Sequence, residues 1–296
     1  MKQKQISRML DRYRVTSGKD FHLKDHDPSD TGGEAIRQEH GEALLREGVE
    51  RLSALQELLF ANASWSLLCV LQAMDAAGKD GTIKHVMSGV NPQGVSVTAF
   101  KAPGPEDLTH DFLWRITRHL PAAGQIGIFN RSHYEEVLVT RIHPEILERQ
   151  HLPPALVGKR FWQHRLEDIE AFERHLHRQG TMVAKFFLNV SKAEQKRRFL
   201  DRLDHLDKNW KFSAGDITER AHWDEYQHAY EAAIAGTATE QAPWFVVPAD
   251  HKWFTRFVVV SALVEALEAL DLEPVRLPPA EQKKLDEARK ELEAEN

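Results

Sequence analysis

The stretch LCVLQAMDAAGKDGTIKHV, Leu68 to Val86, decides the fold. An apolar, strand-like run ends in a turn of small residues, holds Gly78-Lys79 between Asp75 and Asp80, and passes into a helical pattern. Strand, tight turn, Gly-Lys and helix N-terminus are the parts of a phosphate-binding loop. Backbone N–H groups surround the anion, the lysine reaches over it, and the helix dipole favours it. The strict pattern G-x-x-x-x-G-K-[ST] is broken twice, by Ala73 at the first glycine and by Asp80 at the Ser/Thr position. Asp75 and Asp80 suit a bare phosphate badly but suit Mg²⁺, which takes one or two carboxylates together with substrate phosphates. The competing reading is a helix N-terminus capped by aspartates beside an exposed lysine.

Working outward, apolar, β-rich runs recur at Leu67–Met74, Val95–Phe100, Gln125–Asn130, Met182–Val190 and Trp244–Pro248. Helical patterns lie around and between them: Glu34 to about Phe60, Gly81–Val90, Glu106–His119, Pro154–Gln179, Lys192–Leu206, Asp216–Ala235 and Trp253–Leu270. This alternation predicts βαβ units, an α/β fold and a mainly parallel sheet covered on both faces. Residues 1–33 are polar, turn-rich and aperiodic and read as an arm ordered by packing. Residues 34–275 form a single domain, and 276–296 a charged, solvated helical tail, with an oligomer contact as the second reading.

Two more segments carry chemistry. In GQIGIFNRSHYEEV, Gly124 to Val137, a strand ends in Asn130, followed by Arg131, Glu135 and Glu136. A nucleoside-triphosphate enzyme keeps its second metal-binding group at such a strand end. Asn130 brings no charge, so Glu135 is the carboxylate that would supply it, and the fork of Arg131 fits phosphate oxygens. The alternative is a strand end with two solvated glutamates. In KRRFLDRLDHLDKNWKFS, Lys196 to Ser213, Arg198 and Arg202 share a helix face, and Lys208 and Lys211 flank Trp210. They read either as a cationic lid that closes over phosphates or as a solvated helix with i,i+3 and i,i+4 pairs.

Composition excludes other classes. With 39 Lys and Arg against 45 Asp and Glu, the net charge of −6 argues against non-specific nucleic-acid binding. No stretch approaches the roughly 20 apolar residues of a membrane span, and the N-terminus lacks the apolar core of a secretory signal. The single cysteine, Cys69, lies in an apolar run. These features predict a soluble cytoplasmic protein. CxxC, HExxH and G-x-S-x-G patterns are absent, and His175 and His177 are two apart, off a common helix face.

Together MDAAGKDGTIKHV, FKAPGPEDLTHDFLWRITRHLP, GQIGIFNRSHYEEVLVTRIHPE and RFLDRLDHLDKNWKFSAGDITERAHWDEY resemble the second polyphosphate kinase family, and within it class III. The arm KDFHLKDHDPSDTGG is similar to that group's as well, so the resemblance runs from about residue 10 to 270. It implies a P-loop kinase core like thymidylate kinase: three α/β/α layers, a mainly parallel five-stranded sheet and a helical lid at about 191–220. It also implies Mg²⁺-dependent transfer of phosphate between inorganic polyphosphate and AMP or ADP, with Mn²⁺ as the alternative ion and guanine nucleotides as further acceptors. The family forms dimers and tetramers, and neither nucleic acid nor membrane is an implied partner.

By motif position, Asp75, Lys79, Arg131 and Arg198 would act in catalysis, with Asp75 and Asp80 on the metal. The loop residues Ala76, Ala77, Gly78, Gly81 and Thr82, with Lys84 beside them, would hold phosphates. Asn130 and Glu135 would join them, as would the lid residues Arg202, Lys208 and Lys211. Other classes of the family have aspartate where Asn130 stands; class III shares the asparagine. Two rival functions remain: a nucleoside or nucleoside-monophosphate kinase using ATP, and a polyanion-binding module with a degraded loop.

Overall fold

The computed structural model describes residues 3–33, 38–210 and 213–295. At its centre lies β2 (Ser66–Gln72), the apolar run that precedes the loop, with all seven residues buried. β4 (Ile126–Asn130) pairs with it on one side and β5 (Thr181–Asn189) on the other, both parallel. β3 (Val95–Ala99) extends the sheet beyond β4, and β6 (Trp244–Pro248) beyond β5, again in parallel. The central strands are covered on both faces, so they read as continuous apolar runs rather than alternating ones.

The five expected strands are therefore present, but the sheet has six. The sixth, β1 (Arg14–Val15), comes from the arm and pairs antiparallel with β6. Two residues carry no readable periodicity. Their role is to satisfy the edge of β6, where the Val246 N–H donates to the Tyr13 carbonyl over 2.8 Å. The arm begins with α1 (Gln3–Leu10) and is ordered by packing, with Met9, Leu10, Tyr13 and Leu23 buried. It then runs to the carboxyl ends of β5 and β6. There Asn189 Nδ2 donates to the His26 carbonyl (2.9 Å) and the Asp250 N–H to the Pro28 carbonyl (3.1 Å).

Two pairs of helices cover the sheet. α2 (Gly41–Asn62) packs on the apolar α8 (Lys252–Glu268), so closely that a Cβ on Gly48 would fall 2.8 Å from Val260 Cγ1. α4 (Phe161–Arg178) packs on α7 (Trp223–Thr237). The remaining long helices are α3 (Lys79–Val86), α5 (Lys192–Asp204), α6 (Ala214–Ala221) and the exposed α9 (Pro279–Ala294).

Three helical expectations are corrected. Glu106–His119 holds only a 3₁₀ turn at Asp107–Thr109 and one helical turn at Trp114–Thr117. There the side chains of Asp107 and Asp111 accept the Gly104 and Leu113 N–H groups and compete with the helix. The pattern from Pro154 becomes helix only at Phe161, after Pro153, Pro154 and Gly158. The pattern from Asp216 breaks at His222 into α6 and α7. Of the first helical pattern, residues 34–37 lie outside the described residues. Among those described, no helix is long and apolar enough to cross a membrane.

The chain leaves β2 toward β3 and β4 on one side and returns to β5 and β6 on the other. In such a sheet the reversal opens a crevice at the carboxyl end of the first strand. That is where the loop after β2 stands.

Candidate active site

The loop is shaped by two left-handed residues, Ala76 (φ 62°) and Gly78 (φ 107°). Glycine accepts this geometry freely, whereas an L residue such as Ala76 pays about 1–2 kcal/mol. Side chains of α5 hold the loop there. Gln195 Nε2 donates to the Asp75 carbonyl (2.9 Å), and Arg198 Nη1 donates to those of Ala76 (3.0 Å) and Ala77 (2.7 Å). After Gly78 the chain turns into α3, its first bond running from the Thr82 N–H to the Gly78 carbonyl.

Lys79 folds back along the loop, and its Nζ donates to the Ala73 carbonyl over 2.8 Å. Ala73 is the residue that replaces the motif's first glycine. Burial of the ammonium, helped by the Arg131 charge and opposed by Asp75, Glu135 and Asp80, brings Lys79 down to about 8. An anion placed beside it would restore the ordinary value.

Arg131 follows the end of β4 in a left-handed conformation (φ 63°), which turns its side chain back to the loop. Its Nη2 meets Asp75 Oδ1 at 2.8 Å and its Nη1 meets Glu135 Oε2 at 3.1 Å. The Glu135 charge, with Asp75 adding, raises its pKa further. Gln72, with its amide oriented to satisfy both ends, donates to Glu135 Oε1 over 2.9 Å and accepts from Ser132. Asn130 Nδ2 donates to Asp80 Oδ1 over 2.7 Å, so Asn130 orients a loop carboxylate rather than supplying a charge.

Two buried networks anchor this turn from behind. The Tyr134 hydroxyl contacts Glu173 Oε1 (2.7 Å) and Thr237 Oγ1 (2.8 Å), and Lys185 bonds Glu173 within the same cluster. Burial would raise Glu173, but Lys185 and His133 hold it below the usual carboxylate range. Beside it, Arg165 pairs with the buried Glu136 at 2.8 Å and also bonds Gln150. Arg131 and Glu135 thus face the loop while His133, Tyr134 and Glu136 are locked inside.

The lid departs most from expectation. Arg198 is 5% exposed, and all five of its N–H donors are engaged. Besides Ala76 and Ala77 they reach Glu194 Oε1 (2.7 Å) and the carbonyls of Ala249 (2.5 Å) and Asp250 (3.2 Å). These bonds make it a bridge between the lid helix, the loop and the turn before α8. Arg202 Nη1 lies 3.4 Å from Asp216 Oδ2. Burial, with the Asp75 charge adding, raises the pKa of Asp216. Lys208 belongs to the helical turn Leu206–Asn209, but its side chain, like the whole of Lys211, lies outside the described residues.

The loop, Asn130, Arg131 and Arg202 line one cleft of about 710 Å³. Glu135 lies instead in a neighbouring cavity of about 30 Å³, with Asp75, Arg131 and Asp216. Lys84 is exposed on α3 and lines neither space, because it stands a turn beyond the loop. Sequence reasoning missed Gln195, Lys101, Trp210 as a cleft residue, and the pair Lys252 and Arg256 at the start of α8. A signal for the last pair exists: two cations four apart in KWFTRFVVV, whose other residues are apolar except Thr255.

Asp75 and Asp80 each use Oδ1 in the bonds above, and the Oδ2 of each lies outside those bonds. Among the described residues no group of three or more His, Cys, Asp or Glu side chains is arranged to hold a metal. The donors therefore fit a Mg²⁺ ion that shares its shell with substrate phosphates and not a protein-only cage.

The family model described as polyphosphate kinase 2 (PPK2) matches residues 35–274. The chain belongs to the polyphosphate kinase 2 family. It is 50% identical over 256 residues to an ADP-polyphosphate phosphotransferase of Rhodopseudomonas palustris, covering 86% of this chain and 89% of that one. To the AMP/ADP-polyphosphate phosphotransferase of Meiothermus ruber it is 47% identical over 265 residues, 89% of this chain and 95% of the relative. The crystal structure of polyphosphate kinase 2 from Arthrobacter aurescens TC1 superposes with a TM-score of 0.84 at 43% identity, over 94% and 95% of the two chains. The PPK2 match takes in the loop, the Asn130–Glu136 turn, the lid and α8, and stops short of α9.

Proposed function

We propose that this chain transfers the terminal phosphate of inorganic polyphosphate to AMP and to ADP, reversibly and with Mg²⁺. The observation that carries this is the charged cluster at the head of α3, in which Lys79, Asp75, Arg131 and Asp80 are held by one another and by the loop. The reading extends to Mn²⁺ as a substitute ion, guanine nucleotides as further acceptors, and a cytoplasmic dimer or tetramer. The single, buried Cys69 supports a reducing compartment.

A phosphate oxygen of AMP attacks the terminal phosphorus of the chain. The bond from that phosphorus to the bridging oxygen breaks, and the shortened chain keeps the electron pair. ADP and a polyphosphate one unit shorter result, and ADP repeats the step to give ATP. With a second pKa of about 6, the attacking phosphate is already ionised at neutral pH, so no general base is required. Catalysis then asks for position and charge. Lys79 and the first N–H groups of α3 would hold the terminal phosphate. Arg131, fixed by Asp75 and Glu135, would face the equatorial oxygens. Asp75 and Asp80 would hold Mg²⁺, which supplies charge neutralisation between the two substrates. Arg198 and Gln195 keep the loop in its left-handed geometry.

Incubating the purified chain with AMP, Mg²⁺ and long-chain polyphosphate is expected to yield ADP, then ATP. Folded protein that forms no ADP would overturn the reading. Phosphorylation of AMP by ATP with no use of polyphosphate would move it to the nucleoside-monophosphate kinases.

A further inference from the structure

β2 is apolar from Leu67 to Leu71 and then ends in Gln72, whose side chain is fully buried. A primary amide in such a place costs free energy unless its polar atoms find partners. Both ends of this one meet the turn after β4. Its oxygen accepts from the Ser132 N–H and from Ser132 Oγ, each at 3.0 Å, and its nitrogen donates to Glu135 Oε1 at 2.9 Å. The opposite orientation of the amide would set two acceptors against each other. One residue earlier, the Leu71 carbonyl accepts the Arg131 N–H over 3.0 Å. The last two residues of β2 therefore grip the turn at Arg131, Ser132 and Glu135, while the same strand runs on into the phosphate loop.

The contacts continue in one line toward the cleft. Glu135 gives Oε1 to Gln72 and Oε2 to Arg131 Nη1, and Arg131 gives Nη2 to Asp75 Oδ1. Because Glu135 spends one oxygen on each partner, the Gln72 amide decides where the other oxygen points. Arg131 is partly exposed and left-handed, so its direction depends on these anchors. We propose that Gln72 is a positioning residue for Arg131: by holding Glu135 and Ser132 from behind, it fixes the angle at which the guanidinium faces the transferring phosphate. This rests on the function proposed above. Glutamine suits the place because a donor toward Glu135 and an acceptor toward Ser132 are needed at once. A carboxylate there would repel Glu135, and an aliphatic side chain would leave the Ser132 hydrogens and a Glu135 oxygen unpaired. A guanidinium aligned beforehand needs no rearrangement during transfer.

A double-mutant cycle tests this on AMP phosphorylation by long-chain polyphosphate, with Gln72→Met, Arg131→Met and the two combined. Gln72→Met, close in volume but without the amide, is expected to lower kcat about 10- to 100-fold, the scale of a small displacement near the chemistry. KM for AMP and for polyphosphate should stay within about twofold of wild type, since the loss is one of transition-state alignment. In the Arg131→Met background the same change should lower kcat by less than about twofold, because the group it positions is gone. A packing defect would instead multiply the two losses. Multiplied losses, a wild-type kcat in Gln72→Met, or an effect confined to KM would overturn the assignment. Circular dichroism and Tm establish that the variants fold. If Gln72→Met does not, Gln72→Glu, which keeps the shape and loses the donor toward Glu135, carries the same cycle with the same expected outcome. Wild-type chain that makes no ADP from polyphosphate defeats the functional reading instead; active wild type with multiplied losses defeats only the positioning role.

Discussion

The two walls of the cleft are built differently. On the loop wall every charged group is held: Lys79 on Ala73, Arg131 between Asp75 and Glu135, Asp80 on Asn130. Behind it stand the Tyr134–Glu173–Lys185 and Glu136–Arg165 networks. On the lid wall the root of α5 is held by Arg198 and Gln195, and beyond it Arg202 meets Asp216 and Asn209 bonds the Arg202 and Leu203 carbonyls, while Leu200, Leu203, Leu206 and Trp210 are exposed. Preorganised charge belongs where phosphoryl charge develops, since a fixed group needs no rearrangement during the reaction. A polymer that must enter, shift and leave asks for a wall with fewer buried contacts.

The contrast is broken most severely at its centre. Lys79→Met should lower kcat about a thousandfold, the scale of losing one preorganised electrostatic contact. The same variant should raise the Tm of the ligand-free chain. Because the folded pKa of Lys79, about 8, lies below its unfolded value, the charged lysine costs stability at neutral pH. That cost lifts as pH rises through the window between the two values. A lower Tm would mean that the loop wall needs Lys79 for its fold. Next in size, Glu173→Gln leaves the buried Lys185 without its counter-charge and should cost about 3–5 kcal/mol in urea unfolding. Adding Lys185→Met should recover much of it.

Arg198→Lys separates the bridge from a phosphate-binding cation. Lysine keeps the charge but has three donors in place of five. It should lose about 10- to 100-fold in kcat, the cost of a displaced loop, and should leave the salt dependence of KM for polyphosphate as in wild type. Near-normal activity would return Arg198 to the role of a lid cation. A milder probe is pH: kcat/KM reports groups of the free enzyme. It should fall tenfold per pH unit above about 8 as Lys79 loses its proton, and a flat profile to pH 9.5 would contradict the low value. Smallest of all, Arg202→Ala on the lid wall should raise KM for polyphosphate only about a few-fold, since its 3.4 Å pair with Asp216 is partly solvated.

Much of the loop wall was legible in the chain. A strand of seven buried residues reads as an apolar run, and a Gly-Lys turn before a helix announces its own geometry. The motif breaks at Ala73 and Asp80 also have local answers, since Ala73 meets Lys79 and Asp80 meets Asn130. The lid wall was legible only as a charge pattern. That Arg198 would spend its donors on carbonyls some 121 residues earlier and 51 later is invisible to spacing along one helix. Lys252 and Arg256 were hidden for a related reason: they open a helix whose apolar residues dominate its pattern.

Sequence by itself determined the strand–loop–helix order, the five parallel strands and the residue types able to handle phosphate and Mg²⁺, because these follow from backbone propensity and short-range periodicity. The tertiary structure alone decided which carboxylate meets which cation, because a charge is paired by whatever folding brings within a few ångströms. It also added β1, a strand too short for any pattern, which exists because β6 has an edge to satisfy.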